Sequence, residues 1–322
     1  MLLALVQITP WHWLGFISFV IIFLALDLGV FHRRAHVVKF KEALFWTTVW
    51  AAMAMLFAIA LENWRGQKET LEFLTGYVIE LSLSMDNVFV IALIFSFFRI
   101  PSELQHRVLF WGILGALLMR GFMIGAGVAL ITVVHWILWV FGFFLLFSGV
   151  KMLLVETKVD PEKAWVVRLA RKFYPVTPHL DGDKFLTTWQ GRRALTPLAL
   201  VLLLVEATDL IFAVDSIPAV FAVTTKPFIV FTSNVFAILG LRSLYFVLVG
   251  AIGYFRYLKP ALSIALIFVG IKMLLDPHDR EPPLWFQIEI PVSISLLVIG
   301  GIILASIVLS VVVAEREKRK RK

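Results

Sequence analysis

The sequence predicts an all-α, polytopic membrane protein of about nine transmembrane helices, with two mirrored three-helix units at its centre. Three observations predict it. Of the 322 residues, 60% are hydrophobic and only 16% charged, where soluble domains run near a quarter charged. Apolar runs of about 20 residues, long enough to cross a bilayer core, recur along the whole chain. Two of those runs also carry acids in the same order: Glu80-Leu-Ser-Leu-Ser-Met-Asp86-Asn87 and Asp209-Leu-Ile-Phe-Ala-Val-Asp215-Ser216. The short alternating segments of a β-barrel are absent.

The spans are expected at 11–31, 43–61, 72–98, 107–133, 136–155, 195–222, 228–251, 258–275 and 290–313. Residues 1–70 therefore hold two N-terminal helices, and 71–155 the first three-helix repeat. A linker at 156–193 follows, then the second repeat at 194–275, and a last helix with a basic tail at 276–322. The linker mixes Pro161, Pro175, Pro178 and Gly182 with charge and reads as a solvated connection with a short helix near 162–173. The first residues carry no basic n-region, so the first run reads as a retained anchor rather than a removed signal.

Basic residues set the orientation. On one side lie Arg33, Arg34, Lys39, Lys41, Arg99, Arg107, the eight of the linker, Arg256, Lys259 and the six of the tail: 22 of the 30 lysines and arginines. The other side has Arg65, Lys68, Lys226 and Arg280. This asymmetry places the N-terminus outside and the C-terminus in the cytoplasm. It also accounts for the net charge of +8 as topology and lipid contact, not nucleic-acid binding.

Aligning Asp86 with Asp215 pairs Glu80 with Asp209. Further on, Phe147-Ser-Gly149-Val-Lys151-Met-Leu-Leu matches Phe268-Val-Gly270-Ile-Lys272-Met-Leu-Leu. Between them, Ile113-Leu-Gly115 with Arg120 resembles Ile238-Leu-Gly240 with Arg242. Spans 3–5 thus correspond to spans 6–8. Three is odd, so the second copy crosses in the opposite sense, the arrangement from which alternating access arises.

An ionisable group at mid-bilayer is costly and marks function by default. Glu80, Asp86, Glu206, Asp209 and Asp215, with Asn87, Ser84, Ser216 and Asn234, are hard oxygen donors that suit Mg²⁺, Ca²⁺ or Mn²⁺. Arg120 and Arg242 are expected as their charge partners. With no cysteine in the chain, thiolate metal sites and thiol redox chemistry are excluded. Six residues put Glu80 and Asp86 about 120° apart on a helix, whereas Glu206 and Asp209 share a face. Either the acids serve different points of a path or the helices are broken, and Pro218 argues for a break in the second copy. Lys151 and Lys272 are expected to snorkel to the interface. Asp27 reads as a helix cap or an extension of the ion path, and no histidine is assigned to metal.

These residues resemble the TerC family of integral membrane proteins, within it the Alx-like members, over essentially the whole chain. The resemblance rests on Glu80-x5-Asp86-Asn87-Val-Phe-Val, on Glu206-x2-Asp209-x2-Phe-Ala-x-Asp215-Ser216-Ile-Pro218-Ala, and on the run from Phe228 to Arg242 through Asn234. It implies a fold distantly like the LysE exporters, an association with tellurite resistance and manganese export, and a metal path through Glu80, Asp86, Asp209 and Asp215. Three functions are weighed. The first is a divalent-cation exporter for Mn²⁺ in a bacterial inner membrane, not an enzyme, with protons as counter-ion. The second is a non-transport protein organising a metal-stress or tellurite-resistance complex. The third is a di-aspartyl intramembrane protease, against which stands the lack of a Gly-x-Gly-Asp site at Asp86 or Asp215.

Overall fold

A computed structural model of the protein describes residues 8–26, 39–134, 136–155, 164–251, 257–276 and 285–320. Its helices are α1 (Pro10–Leu26), α2 (Phe40–Arg65), α3 (Gln67–Phe97), α4 (Ser102–Val133), α5 (Ile137–Leu154), α6 (Trp165–Phe173), α7 (Pro197–Phe221), α8 (Pro227–Gly250), α9 (Leu258–Leu275) and α10 (Val292–Lys320). A two-stranded hairpin, β1 (Leu186–Trp189) and β2 (Arg192–Leu195), lies between α6 and α7. Among the described residues eight helices, α2–α5 and α7–α10, are long and apolar enough to cross a membrane. The chain is a multi-pass, all-α membrane protein. Of the first expected span, α1 covers residues 11–26. Residues 27–31, with Asp27, lie outside the described residues.

Local chemistry sets several boundaries. Gly66 separates α2 from α3 at φ +86°, a backbone that only glycine adopts at no cost. Thr196 caps α7 by accepting from the Ala199 N–H (3.3 Å), with Pro197 in the first turn, where its missing N–H costs nothing. Pro218 does not break α7, contrary to the expected interruption. The helix runs unbroken past Asp215 and ends at Phe221. Pro218 stands three residues before that end, so its ring disturbs only the final turn.

Helices α3 and α8 form the buried centre and pack on each other, with α7 against α3, α4 against α8, and α4 and α7 against each other. An aromatic cluster, including Phe16, Phe57, Phe73, Phe228 and Phe236, seats α1 and α2 on α8. Opposite, α5 and α9 cross antiparallel at very short range. A Cβ on Gly149 would meet Ile267 at 2.8 Å, and one on Gly270 would meet the Leu146 backbone nitrogen at 2.7 Å. Such small-residue contacts replace the hydrophobic drive that lipid cannot supply between helices.

The described part of the linker is folded rather than simply solvated. Val167 of α6 is buried in the core shared with Leu198 and Val201 of α7. The hairpin is tied to α4 by the Arg107–Asp183 ion pair, and Arg107 lies over the Phe185 ring. In the turn before β1, hydrogen bonds from Thr187 (2.6 Å) and Lys184 (3.4 Å) hold the Asp181 carboxyl below the usual carboxylate range.

Candidate functional site

Two stripes of polar and small residues face each other across the centre. On α3, Glu80, Ser84 and Asn87 recur at i, i+4 and i+7, hence on one face. On α7, Asp209, Ala213 and Ser216 recur at the same spacing. All six are buried, with Glu80 at 0% exposure and Asp209 at 8%. Apolar neighbours on both helices supply the surrounding core, which is why these side chains turn inward.

Arg120 of α4, itself 2% exposed, enters between the stripes. Its Nε and Nη2 donate to the two Asp209 carboxylate oxygens at 3.2 and 3.0 Å. Its Nη1 donates to Glu80, to Ser216 Oγ (3.2 Å) and to Asn234 Oδ1 (2.9 Å). Asn234 of α8 donates in turn to Glu80 Oε2 (3.1 Å), and Asn87 Nδ2 makes a long bond to Asp209 Oδ1 (3.4 Å). Four helices thus share one network in which two carboxylates face one guanidinium. The side-on, two-point geometry at Asp209 is the strong form of this pairing. Among the described residues, Asn87 Oδ1 and Ser84 Oγ are buried oxygens with no hydrogen-bond partner.

The remaining expected site residues lie around this network. Glu206, one turn before Asp209 on α7, is half-buried and packs against Gly115 of α4, where any Cβ would collide with its carboxylate. Asp215 is half-buried and turned toward α5, where Ser148 donates to its Oδ1 at 2.8 Å. Asp86 is half-buried and feels the charge of Lys259 at the start of α9. As the six-residue spacing requires in an unbroken helix, neither Asp86 nor Asp215 joins Glu80 and Asp209. Arg242 is buried but lies two turns beyond Asn234 on α8, about 12 Å along the axis by helical rise, outside the Arg120 network. Among the described residues no three histidines, aspartates or glutamates converge as a metal cluster. The Arg120 guanidinium joins Glu80 and Asp209.

Two features escape sequence reasoning. A cavity of about 1060 Å³ opens at the face opposite the hairpin, lined by Lys68, Glu72, Lys226, Lys272, Asp276 and Glu289 among others. At its edge Lys226 bridges the buried Glu69 (3.2 Å) and Glu72 (3.1 Å), with Thr224 donating to Glu72 (2.8 Å) and Arg65 paired with Glu69 (2.7 Å). Lys272, read as a snorkelling residue, is 3% exposed and borders this cavity. It is enclosed because α3 and α10 pack around the end of α9. The three-residue spacing of Glu69 and Glu72 is the one signal that would have flagged the pair. Nothing in the sequence flagged Ser148 as the partner of Asp215.

A family model described as "Integral membrane protein TerC family" matches residues 65–318, which contain every residue of this site. A relative from Myxococcus xanthus, "Uncharacterized membrane protein STKORF319", is 54% identical over 305 residues, covering 94% of this chain and 93% of its own. Another from Escherichia coli (strain K12), "Putative membrane-bound redox modulator Alx", is 45% identical over 323 residues, covering 97% and 98%. A third from Rickettsia bellii, "Uncharacterized membrane protein", is 41% identical over 297 residues, covering 92% and 97%. No solved structure matches the chain.

Proposed function

Because the chain belongs to the TerC family of integral membrane proteins, we propose that it exports a divalent metal cation, Mn²⁺ first, across the bacterial inner membrane. The observation that carries this reading is the surplus of buried acid at the centre: Glu80 and Asp209 against Arg120 alone. One guanidinium neutralises one carboxylate. The second remains, beside the unpartnered oxygens of Asn87 and Ser84. If Arg120 swings aside, Glu80, Asp209, Asn87, Ser84, Ser216 and Asn234 offer an all-oxygen set that fits a hard divalent ion. Ca²⁺ and Mg²⁺ fit the same donors.

Arg120 then serves as a resident counter-charge that the cargo displaces. Asp86 and Asp215, set about 9 Å further along their helices, extend the path away from the centre. Carboxylates that shed protons on taking a cation couple efflux to proton entry. The antiparallel crossing of α5 and α9 supports the reading of the two three-helix units as an inverted pair. The excess of lysine and arginine on the hairpin face supports a cytoplasmic C-terminus. The term "redox modulator" belongs to the Escherichia coli relative; with no cysteine, thiol exchange has no group to act through here.

A second reading has one observation in its favour. Arg120 engages four partners so fully that the network also suits a purely structural lock organising a membrane complex. Reconstituted protein separates the two. Under the export reading, proteoliposomes take up or release Mn²⁺ with the parent protein, while Asp209→Asn and Glu80→Gln proteins are silent and an imposed pH gradient alters the rate. Equal flux from all three proteins sinks the ion-path assignment, and flux indifferent to the pH gradient sinks the proton coupling.

A further inference from the structure

Helix α6 carries an apolar stripe that no part of the described protein covers. Trp165, Leu169 and Phe173 recur every four residues and are 55%, 46% and 69% exposed. Taking 100° per residue, Val167 and Ala170, which face the protein core, lie about 100–160° to one side of this stripe. Arg168 and Lys172, both exposed, lie about 60–100° to the other side. The helix therefore has three faces: one packed on the protein, one apolar and open, one basic.

The level of α6 identifies what meets the open face. Val167 shares its core with Leu198 and Val201 of α7 and with Ile100 at the turn between α3 and α4. Ala170 packs with Leu195, Ala199 and Phe98. Those residues lie at or just beyond the ends of membrane-crossing helices, so α6 stands where hydrocarbon gives way to headgroups. It does so on the face that collects most of the lysines and arginines. A short helix with aromatic and aliphatic residues on one side and flanking basic residues is the pattern of an interfacial helix.

We propose that α6 is a docking surface for anionic phospholipid. Trp165, Leu169 and Phe173 enter the acyl boundary, and Arg168 and Lys172 receive the headgroup phosphates. Because α6 packs on the first turns of α7, the helix that bears Asp209 and Asp215, this contact fixes the membrane depth of that end of α7. The inference is independent of what the central site carries.

The native lack of cysteine makes the test direct. Leu169→Cys carries a polarity-sensitive bimane probe in nanodiscs of phosphatidylcholine with and without phosphatidylglycerol, and Thr188→Cys on the hairpin serves as the exposed control. Both positions are surface sites, and gel filtration confirms that the labelled proteins are folded. The expected result is blue-shifted emission at Leu169→Cys that shallow brominated lipids quench several times more strongly than at the control. Phosphatidylglycerol strengthens the effect, and high salt weakens it. Each of Arg168→Glu and Lys172→Glu should raise the phosphatidylglycerol fraction needed for half the shift by about fivefold or more, since one basic residue near an anionic surface contributes about 1 kcal/mol. A Leu169→Cys probe as wet as the control overturns the proposal. So does a shielded probe that lipid-borne bromine does not reach, which would mean a second copy or another protein covers the stripe. Shielding indifferent to phosphatidylglycerol overturns the anionic preference.

Discussion

Replacing Arg120 with methionine isolates the central claim. Methionine keeps much of the volume and removes the charge and all the donors. Asp209 loses bonds of 3.2 and 3.0 Å and keeps only the long one from Asn87. Glu80 loses the guanidinium and keeps only Asn234. Removing one partner of a buried ion pair typically costs about 3–5 kcal/mol, because a charge is left uncompensated. Here two carboxylates are left, so the upper half of that range is expected. Thermal unfolding in detergent, followed by tryptophan fluorescence, reads the loss. Mn²⁺ should reverse it, since the vacated space now faces two carboxylates and the free oxygens of Asn87 and Ser84. An ion at a hundredfold excess over its Kd contributes about 2.7 kcal/mol to the folded state. Adding Glu80→Gln to Arg120→Met should recover part of the stability without metal and remove most of the response to it. The reasoning fails if Arg120→Met melts with the parent. It fails differently if Arg120→Met is fragile but no divalent cation restores it, for then the network is a lock and not a cation site.

Three further outcomes follow from the same geometry. Ser84→Ala removes a buried hydroxyl that satisfies nothing, so stability should stay level or rise by up to about 1 kcal/mol, while metal flux falls; a clear loss of stability would mean Ser84 has a structural partner. Gly270→Ala puts a Cβ 2.7 Å from the Leu146 backbone nitrogen and 3.0 Å from the Gly142 carbonyl, neither of which can move without parting α5 from α9. It should cost about 1–3 kcal/mol, against within about 0.5 kcal/mol for Gly300→Ala, where nothing lies within 4 Å; similar melting curves for the two would refute the tight crossing. Ser148→Ala removes the bond to Asp215 (2.8 Å) and should lower stability by about 1 kcal/mol, below the usual 1.5–3 for a charged acceptor because Asp215 is only half-buried; Mn²⁺ flux should change with it, and unchanged flux would take Asp215 off the path.

Much of the fold was legible because membrane spans declare themselves by length and hydropathy. The run expected at 258–275 is α9 to the residue, and 136–155 is α5 within one or two at each end. The central acids were legible for a related reason: water-loving groups in an apolar run have few explanations. What the sequence hid is which side chains meet. Arg120 and Arg242 look equivalent on paper, each embedded near an Ile-Leu-Gly, yet Arg120 enters between Glu80 and Asp209 while Arg242 stands about two turns beyond Asn234 on α8. The Ser148–Asp215 bond and the Lys226 bridge join positions 67 and more than 150 residues apart, and helical periodicity carries no information on such pairings. Pro218 misled for a local reason, since a proline one turn from a helix end trims the helix instead of breaking it.

The composition of the central network is itself an argument about purpose. If stability alone were at stake, a well-packed apolar core would serve as well or better, since buried ion pairs often lose to hydrophobic replacements of similar volume. If a polar lock were wanted, Arg120 with one carboxylate would be neutral and complete. The protein instead keeps a second carboxylate at full burial and leaves Asn87 Oδ1 and Ser84 Oγ without donors. A buried polar group left without any partner, water included, costs about 1–3 kcal/mol. The surplus carboxylate and the Asn87 carbonyl oxygen share one sign, each calling for a donor or a positive charge, and the Ser84 hydroxyl can turn its oxygen to the same use. A donor side chain would meet that need permanently, whereas a mobile cation meets it only while bound. Under the export proposal the second alternative accounts for this deficit, with Arg120 as the residue whose movement opens the site.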